Sequence, residues 1–318
     1  MRVSEAHERS DQVNVSHFSV IYIGGYGRSG STILGTLLGS GDDVVHLGEL
    51  ACLRDDWANS RRRCSCGELF PECPQWSQLQ PESALSSDDW RVLRRLEHLA
   101  SLPRLAVGLV SRREKEVLDR YARVFLSTVS GITGSRTLVD SSKTARAAAS
   151  RPLALARYGH IEVKIVHLTR SGTRCLQSLL RTGSNWELEG RDVAGRTGPI
   201  RNTLGWLMAN LAATLIGRLF FRHKYYRLRF EELLENPLQE LTNLESWLGV
   251  DLDRTRQRLT EGDVLDIGHV LGGNRLRFQS QLRFDAVQSR EPVKLSRSER
   301  LTFLLLAGWL NRLYGYRH

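Results

Sequence analysis

The stretch "FSVIYIGGYGRSGSTILGTLL", which begins at Phe18, constrains the fold of this chain more than any other. An apolar, β-branched run passes through a glycine-rich turn into an apolar helix, an arrangement in which backbone N–H groups and a helix N-terminus bind a phosphate. Gly25 and Gly30 have the spacing of the Walker phosphate loop, and Thr32 stands at its metal-binding hydroxyl. Ser31 stands where that loop has its lysine. The sequence therefore predicts an anion-binding loop without the lysine that contacts a triphosphate.

The composition allows a large core and a basic surface. The chain has 318 residues, of which 41% are hydrophobic and 25% charged, enough to bury a core of globular size. Its net charge of +10 favours an anionic partner such as a nucleotide, a nucleic acid, a sulfated product or an acidic membrane surface, although a solvated basic surface has the same charge. No nucleic-acid-binding module or aromatic-basic ribbon is recognisable, so we expect no nucleic-acid partner.

No segment of the sequence predicts a stable membrane span. Residues 1–17 are polar and lack the apolar core of a signal peptide, so they predict a disordered tail. The most apolar stretch, residues 204–221, is only 18 residues long and is interrupted by Asn210 and Arg218. A buried helix of the core suits it better than a span. We therefore expect a cytoplasmic protein.

Strand patterns alternate with helical patterns along the chain. The runs IYIGG, TLVD, EVKIVHLT and YYRLRF predict strands, and VVHLGEL predicts a shorter one. This alternation predicts an α/β fold in which helices cover both faces of a central parallel sheet. We expect one domain over residues 18–318, with a Cys-rich and helical insertion at about 52–130. The apolar C-terminal helix suits either the core or the surface of a homodimer.

Three of the predicted strands end in similar chemistry. The sequences that follow them, GYGRSGST, DSSK and TRSGTRCLQS, combine small hydroxyls with cations at the start of a helix. Ligands of parallel sheets bind at the carboxyl ends of the strands. Backbone N–H groups, a helix dipole and an Arg or Lys together suit a tetrahedral anion. Arg28, inside the first turn, adds a planar fork for oxyanions.

The residues alone leave two kinds of anion open. A phosphosulfate carries less charge than a triphosphate and needs no magnesium clamp, which suits a loop that has Arg28 but no lysine. No convincing Walker-B motif is present, because VKIVHLTR ends in His and Arg. Asp140, after TLV, is nevertheless a candidate for that role. A P-loop small-molecule kinase that uses ATP-Mg is therefore the alternative function.

The cysteines permit several states. Cys64, Cys66 and Cys73 form a C-x-C-x6-C pattern that resembles zinc-ligand spacing but lacks a second close pair. The fourth ligand would have to be Cys52 or a distant residue, and Cys175 stands apart. A cytoplasmic location disfavours a disulfide framework. Zinc binding, a local disulfide and free thiols all remain open, and no metal is assigned to the active site.

Taken in order, these motifs resemble those of the sulfotransferases that use 3'-phosphoadenosine-5'-phosphosulfate (PAPS). YGRSGSTILGTLL resembles their 5'-phosphosulfate loop, and IVHLTRSGTRCLQSLL resembles their 3'-phosphate motif, in which a strand ends in Arg and a helical Ser follows eight residues later. HVLGGNRLRF resembles a late cofactor-covering loop of bacterial members. One departure is Ser171-Gly172, where the family usually has Asp-Pro after the Arg.

The resemblance implies a P-loop-like sulfotransferase architecture and a reaction. The sulfuryl group of PAPS would pass to a hydroxyl of a small-molecule, lipid or glycan acceptor, with release of 3'-phosphoadenosine-5'-phosphate (PAP). The enzyme would contribute positioning, charge stabilisation and a general base on the acceptor.

The resemblance also implies roles for particular residues. Arg28 would neutralise charge on the bridging oxygen, and Lys143 would stabilise the sulfuryl oxygens. Arg170 and Ser178 would bind the 3'-phosphate, and Arg277 would add a late contact. The 5'-phosphosulfate would be held by the backbone amides and hydroxyls of four loop residues, Ser29, Gly30, Ser31 and Thr32.

Two residues are candidates for the general base. Glu49 lies 21 residues after Arg28, and sulfotransferases that modify tyrosine or glycans are similar in having a Glu after the phosphosulfate loop as the base. His46 lies three residues before Glu49 and has the intrinsic pKa that better suits a base near neutral pH. Position favours Glu49, and both remain candidates.

Two loops are expected to border the site. His269 and Asn274 would order the late loop, in which the glycines at 272 and 273 permit a tight turn. Trp186 lies in a polar, glycine-rich stretch and is either a stacking residue of an acceptor lid or a loop anchor. The sequence does not predict the identity of the acceptor.

Overall fold

The computed structural model describes residues 18–58, 62–79, 85–182, 197–273, 275–279, 281–284 and 292–316. The predicted tail at residues 1–17 lies outside the described residues, as do Trp186 and Asn274.

The described residues form a central parallel sheet, as predicted. Its strands are β1 (Ser19–Gly25), β2 (Val44–Gly48), β3 (Thr137–Asp140), β4 (Glu162–Thr169) and β5 (Tyr225–Arg229). The strand order is β2-β3-β1-β4-β5, and each neighbouring pair is parallel. A short antiparallel pair, β6 (Leu265–Asp266) and β7 (Gln281–Leu282), lies outside this sheet.

Helices connect the strands and follow the last of them. A π-helical turn at Tyr121–Leu126 joins two of the helices in the insertion between β2 and β3. The α-helices are α1 (Ser31–Gly39), α2 (Leu53–Ala58), α3 (Ser87–Glu97), α4 (Leu102–Ala106), α5 (Arg112–Arg120), α6 (Ser127–Thr133), α7 (Arg151–Tyr158), α8 (Gly172–Thr182), α9 (Pro199–Phe220), α10 (Phe230–Glu235), α11 (Pro237–Leu248), α12 (Asp253–Glu261) and α13 (Arg297–Leu313).

Alternation along the central strand shows why both faces of the sheet are covered. Val20 and Tyr22 pack into one apolar cluster, together with the insertion helices and α7. Ile21 and Ile23 point the other way, into a second cluster with α1, α10 and α11. Successive side chains of a strand point to opposite faces, so an entirely apolar strand needs a helical layer on each side. The predicted α/β class is confirmed.

The apolar stretch at 204–221 is part of α9. Within the described residues, α9 is the one helix that is long and apolar enough to cross a membrane, by length and composition alone. It packs against β1, β4, α8 and α13, and the side chains of Trp206 and Asn210 are buried. Oδ1 of Asn210 accepts a 2.9 Å hydrogen bond from Nε2 of His167 on β4. These contacts agree with the predicted role as a core helix.

The C-terminal helix α13 has two different faces. Phe303, Ala307 and Leu310 are buried in a cluster with Trp206. The opposite face exposes large apolar side chains, namely Leu301, Leu305, Trp309 and Leu313. The helix therefore contributes to the core, and a homodimer through its outer face stays a prediction.

A buried ionic cluster joins the insertion to the end of β3. Arg151, which is 1% exposed, donates to Asp140 (2.6 Å), to Glu97 and to the hydroxyl of Tyr121 (2.7 Å). Two carboxylates share one guanidinium in an apolar setting, and a buried cation of this kind holds its partners in fixed positions. Asp140 in turn accepts from the backbone N–H of Ser142 (2.9 Å), so the cluster also fixes the turn after β3.

His46, a candidate base, is a residue of the core. Its side chain is 4% exposed, and Nε2 lies 3.2 Å from the hydroxyl of Ser141. The ring occupies the space beside Gly35 of α1, where a Cβ would come within 2.3 Å of it. Burial, with a smaller contribution from Lys143, lowers the pKa of His46 to about 3. The imidazole is therefore neutral and structural.

Replacing Arg151 tests the buried ionic cluster. We expect Arg151→Met to lower the free energy of unfolding by roughly 3–5 kcal/mol, because Asp140 and Glu97 would remain buried without their counter-charge. Arg157 lies on the same helix but is exposed, and we expect Arg157→Met to cost less than about 1 kcal/mol. Urea unfolding of both variants measures the difference. Equal losses would contradict the role of the cluster.

The buried state of His46 predicts a pH dependence of stability. Its pKa is about 3 in the folded chain, against an ordinary histidine pKa of 6.5, so the unfolded state binds a proton that the folded state does not. Stability is therefore complete above pH 6.5 and falls as the pH drops towards 3, by up to about 1.4 kcal/mol per pH unit for one proton. His46→Gln should flatten this slope, whereas the same change at the exposed His223 should not. Urea unfolding across the pH range measures both; an unchanged slope in His46→Gln would refute the assignment.

Candidate active site at the carboxyl ends of the strands

The glycine-rich loop after β1 has the geometry of an anion-binding turn. Gly25 has φ +117°, and a Cβ there would lie 2.3 Å from the carbonyl oxygen of Leu168. Gly30 has φ +95°, and a Cβ would lie 2.2 Å from the ring of Phe230. Only glycine fits at these positions. The helix α1 begins at Ser31 with no acidic residue in its first turn, so its N-terminal amides face no negative charge from their own helix.

Arg28 has a strained backbone that Arg170 holds in place. Its φ is +67°, a conformation that non-glycine residues seldom adopt. Its carbonyl oxygen accepts a 2.9 Å hydrogen bond from Nη1 of Arg170. The neighbouring hydroxyl of Ser29 is buried, with Oγ 3.9 Å from Sγ of Cys175 on α8. Residues that follow β4 thus fix the shape of the loop that follows β1.

Arg170 retains capacity to bind an anion. Its guanidinium lies 5.1 Å from the centre of the Phe230 ring. Its Nε is buried and makes no hydrogen bond within the described residues. Buried polar atoms are normally hydrogen-bonded, so this donor fits an oxyanion ligand. Ser178 lies on α8, eight residues after Arg170, as the predicted 3'-phosphate motif requires.

The N-terminus of α8 differs from the expectation that it binds an anion through its amides. The N–H of Ser171 donates to the carboxylate of Glu231 (3.0 Å), and the N–H of Gly172 donates to the side chain of Asn311 (2.9 Å). A carboxylate of the chain itself therefore occupies this helix terminus. What remains for a ligand at this strand end is the pair Arg170 and Ser178.

Glu49 and Lys143 form an ion pair across the ends of β2 and β3. Nζ of Lys143 donates to Oε1 of Glu49, and the two side chains are 12% and 21% exposed, respectively. Lys143, like Arg28, has a positive φ, of +66°. The hydroxyl of Tyr22 donates to the carbonyl oxygen of Lys143. Strained residues of this kind concentrate at functional sites, and here both are cations at neighbouring strand ends.

The late loop lies against both Glu49 and the glycine-rich loop. The N–H of Glu49 donates to the carbonyl oxygen of Leu271 (2.8 Å), and the N–H of Leu271 donates to that of Leu47 (2.9 Å). A Cβ at Gly272 would lie 3.0 Å from Cβ of Glu49, and one at Gly273 would lie 3.5 Å from Oγ1 of Thr32. The loop therefore lies over this end of the sheet, and its role in covering a bound cofactor stays a prediction.

Arg277 lies near the end of the late loop, in a short 3-10 helix, Arg275–Phe278. It is 2% exposed, and its guanidinium lies 4.6 Å from the ring centre of Phe278. The contact of Arg277 with the sulfuryl donor stays a prediction.

The two candidate bases, Glu49 and His46, lie in different surroundings. Glu49 is half-buried at the strand ends, beside Lys143 and the late loop. His46 is enclosed beneath α1. A general base has to reach the proton it accepts, so the arrangement favours Glu49.

Asp140 is not available as a Walker-B carboxylate. It is fully buried, Oδ2 accepts from Arg151 (2.6 Å), and Oδ1 accepts from the N–H and hydroxyl of Ser142. Both oxygens are therefore used within the protein, and this removes the residue that kept a magnesium-dependent triphosphate site open.

A cluster of metal-binding side chains lies beside the late loop. It brings His269 to the three cysteines of the C-x-C-x6-C pattern, Cys64, Cys66 and Cys73. Sequence reasoning gave His269 only a role in ordering the loop, because nothing near it in sequence pairs it with cysteines. None of the five cysteines is in a disulfide.

Comparisons with solved structures agree with this fold. The sulfotransferase domain of the olefin synthase from Synechococcus PCC 7002 is 20% identical, with 99% of this chain and 100% of that chain covered at a TM-score of 0.52. The sulfotransferase domain from the curacin biosynthetic pathway is 19% identical, with 92% and 97% covered at a TM-score of 0.52. A Mycobacterium tuberculosis sulfotransferase is 16% identical, with 93% and 78% covered at 0.50. At such identities these likenesses show the fold.

The family follows from the sequence. Among curated proteins there is no significant match. A family model for the "Sulfotransferase family" matches residues 20–254, a range that runs from β1 to α12 and contains every strand end of the site. The chain belongs to the sulfotransferase family and is a sulfotransferase enzyme.

Proposed function

We propose that this enzyme transfers the sulfuryl group of PAPS to a hydroxyl of an acceptor. The observation that carries the proposal is the order of the strand ends. Glu49 follows β2, Lys143 follows β3, the glycine-rich loop follows β1, and Arg170 follows β4, in the order of the strands in the sheet. Three strand spacings of about 4.8 Å give a row of about 14 Å. The glycine-rich loop and Arg170 occupy one half of this row, at the ends of neighbouring strands, which suits two anionic groups of one nucleotide, and Lys143 and Glu49 occupy the other half.

The residues of the row fit PAPS. The loop Ser29–Thr32 offers backbone amides at the start of α1 for the 5' group. Arg170, with its unbonded buried Nε, and Ser178 suit the 3'-phosphate, and Arg277 stays a predicted further contact. When bound, PAPS supplies the sulfuryl group to be transferred and leaves as PAP.

In the mechanism, Lys143 supplies positive charge and Glu49 accepts a proton, at the end of the row opposite Arg170. Glu49 accepts the proton of the acceptor hydroxyl at a carboxylate oxygen, as a general base. Lys143 orients this carboxylate through their ion pair. Lys143 and Arg28 place positive charge where negative charge develops during transfer. Hydrogen bonds from Tyr22 and Arg170 to their carbonyl oxygens hold the two strained backbones in advance. The late loop lies against Glu49 and Thr32 and limits the access of water to them.

The alternative is a kinase that binds ATP-Mg. It has less support, because Ser31 replaces the Walker lysine and Asp140 uses both of its oxygens within the protein. The acceptor is proposed only by class, as a small molecule, lipid or glycan with a hydroxyl, and the cytoplasmic location is likewise a proposal.

Calorimetric titration without magnesium tests the donor. We expect wild type to bind PAP more tightly than AMP, which lacks the 3'-phosphate. Arg170→Gln should weaken PAP binding about 10- to 100-fold, the value of a hydrogen bond to a charged group. It should weaken AMP binding less, because AMP is affected only through the hydrogen bond from Nη1 of Arg170 to the carbonyl oxygen of Arg28. Arg181→Gln removes an exposed arginine of α8, the helix that follows Arg170, and should change neither. Equal loss of PAP and AMP would refute the 3'-phosphate assignment, and ATP-Mg binding without PAP binding would support the kinase.

Replacing Glu49 tests the base. We expect Glu49→Gln to lower kcat about 100- to 10,000-fold while PAP affinity changes only a few-fold, because the amides and Arg170 remain. The assay is transfer from labelled PAPS to the best acceptor from a panel of alcohols, phenols and sugars. Glu68→Gln changes an exposed carboxylate of the insertion and should keep full activity. Retained kcat in Glu49→Gln, with kcat lost in a folded His46→Gln, would make His46 the base.

A further inference from the structure

Four side chains from two distant parts of the chain point at one another. They lie outside the row of strand-end residues that runs from Glu49 to Arg170. Sγ of Cys64, Cys66 and Cys73 and a ring nitrogen of His269 all lie within 4.8 Å of one another. Nδ1 of His269 is 3.1 Å from Sγ of Cys73 and 3.8 Å from Sγ of Cys64. Ligands on one tetrahedral zinc, with Zn–S of about 2.3 Å, lie about 3.8 Å apart. The cluster therefore has nearly the dimensions of a zinc site.

Backbone amides support the sulfurs. The N–H of Cys66 is hydrogen-bonded to the thiol of Cys64, and the N–H groups of Gln75 and Trp76 are hydrogen-bonded to that of Cys73. Such donors stabilise a thiolate and orient it towards a metal.

A tight turn determines the positions of Cys64 and Cys66. Gly67, directly after Cys66, has φ +94°. Its N–H donates to the carbonyl oxygen of Cys64 (2.9 Å), and the N–H of Cys64 donates to that of Glu68 (2.8 Å). The glycine lets the chain reverse within a few residues, so the sulfurs of Cys64 and Cys66 reach the same point.

Packing alone does not account for the cluster. Cys64 and Cys73 are buried, as cysteines of a core often are. Cys66 is exposed, yet its sulfur lies in the same cluster. His269 also brings a polar ring nitrogen to the sulfurs, where an apolar side chain would serve a core equally well.

We propose that Cys64, Cys66, Cys73 and His269 bind one structural zinc ion. Three thiolates and an imidazole are a donor set that selects zinc, and four protein ligands leave no open position for a substrate or water. The site is thus closed and does not take part in the transfer chemistry.

The zinc would fasten the late loop to the insertion. Without it, the two segments already share hydrogen bonds: Nε1 of Trp76 donates to the carbonyl oxygen of His269 (3.0 Å), and the N–H of Val270 donates to Oγ of Ser65 (2.7 Å). Gly272 and Gly273, which lie against Glu49 and Thr32, follow His269 directly. A metal at His269 would therefore hold the cover of the active site in place, an effect that rests on the proposed function, whereas zinc binding itself does not.

Metal analysis of the full chain tests the site. We expect protein purified under reducing conditions to carry one zinc per chain by elemental mass spectrometry. Refolding with Co²⁺ should give the intense visible bands of a tetrahedral thiolate site. Cys66→Ser should lose zinc on dialysis against a chelator that leaves wild type loaded. Cys52→Ser, a cysteine of the same insertion outside the cluster, should keep it. Because Cys66 is exposed, its substitution should leave the circular dichroism of the folded chain unchanged.

The outcomes separate zinc binding from the donor assignment. Protein without zinc, protein with iron in its place, a disulfide among the three cysteines in reduced preparations, or full zinc retention in Cys66→Ser would each overturn the site. Loss of zinc in that variant with a several-fold weaker PAP affinity would support both the site and its effect on the late loop. Zinc loss with unchanged PAP affinity would keep the metal site and overturn the effect on the loop.

Discussion

The parallel pairing of β1 with β3 on one side and with β4 on the other is the constraint on which the site depends. Parallel strands bring their carboxyl ends to one edge. The register fixes the order in which the residues after each strand lie along that edge. Tyr22 pairs with Asp140, and Gly25 pairs with Leu168, so the glycine-rich loop lies between the turn that carries Lys143 and the end of the strand before Arg170.

The ionic cluster at Arg151 fixes the turn at the end of β3. Asp140 ends β3 and is held by Arg151 on one oxygen and by Ser142 on the other. The turn that follows carries Lys143 in a strained conformation, and such strain persists only where the surroundings fix the backbone. The same turn presents Lys143 to Glu49. The buried Arg151–Asp140 pair thus fixes the turn that holds Lys143 beside Glu49.

A local pattern predicted the glycine-rich loop, because its turn is set by a few consecutive residues. The roles of Arg170, Ser178, Glu49 and the late loop followed from the resemblance to sulfotransferases. The structure brings these segments to one edge of the sheet, although ligand contacts of the individual residues stay predictions. The α/β class followed from the alternation of strands and helices. Strand order did not, because it depends on contacts between distant segments.

The remaining features depend on such distant contacts. His46 has a suitable intrinsic pKa, but α1 folds over it and burial lowers its pKa to about 3. Glu231 occupies the N-terminus of α8 from another helix, which no local pattern around Ser171 indicates. His269 meets Cys73 from 196 positions away, so the sequence offered only Cys52 or an unspecified distant residue as the fourth ligand of the C-x-C-x6-C pattern.

A crystal structure of the full chain with PAP tests the central claim most directly. The strand-end row predicts the 3'-phosphate on Arg170 and Ser178, the 5'-phosphate on the amides of Ser29–Thr32, and Glu49 and Lys143 beyond the 5' end. A nucleotide bound in the reverse direction, or bound away from these strand ends, would contradict the assignment of the row as the donor site.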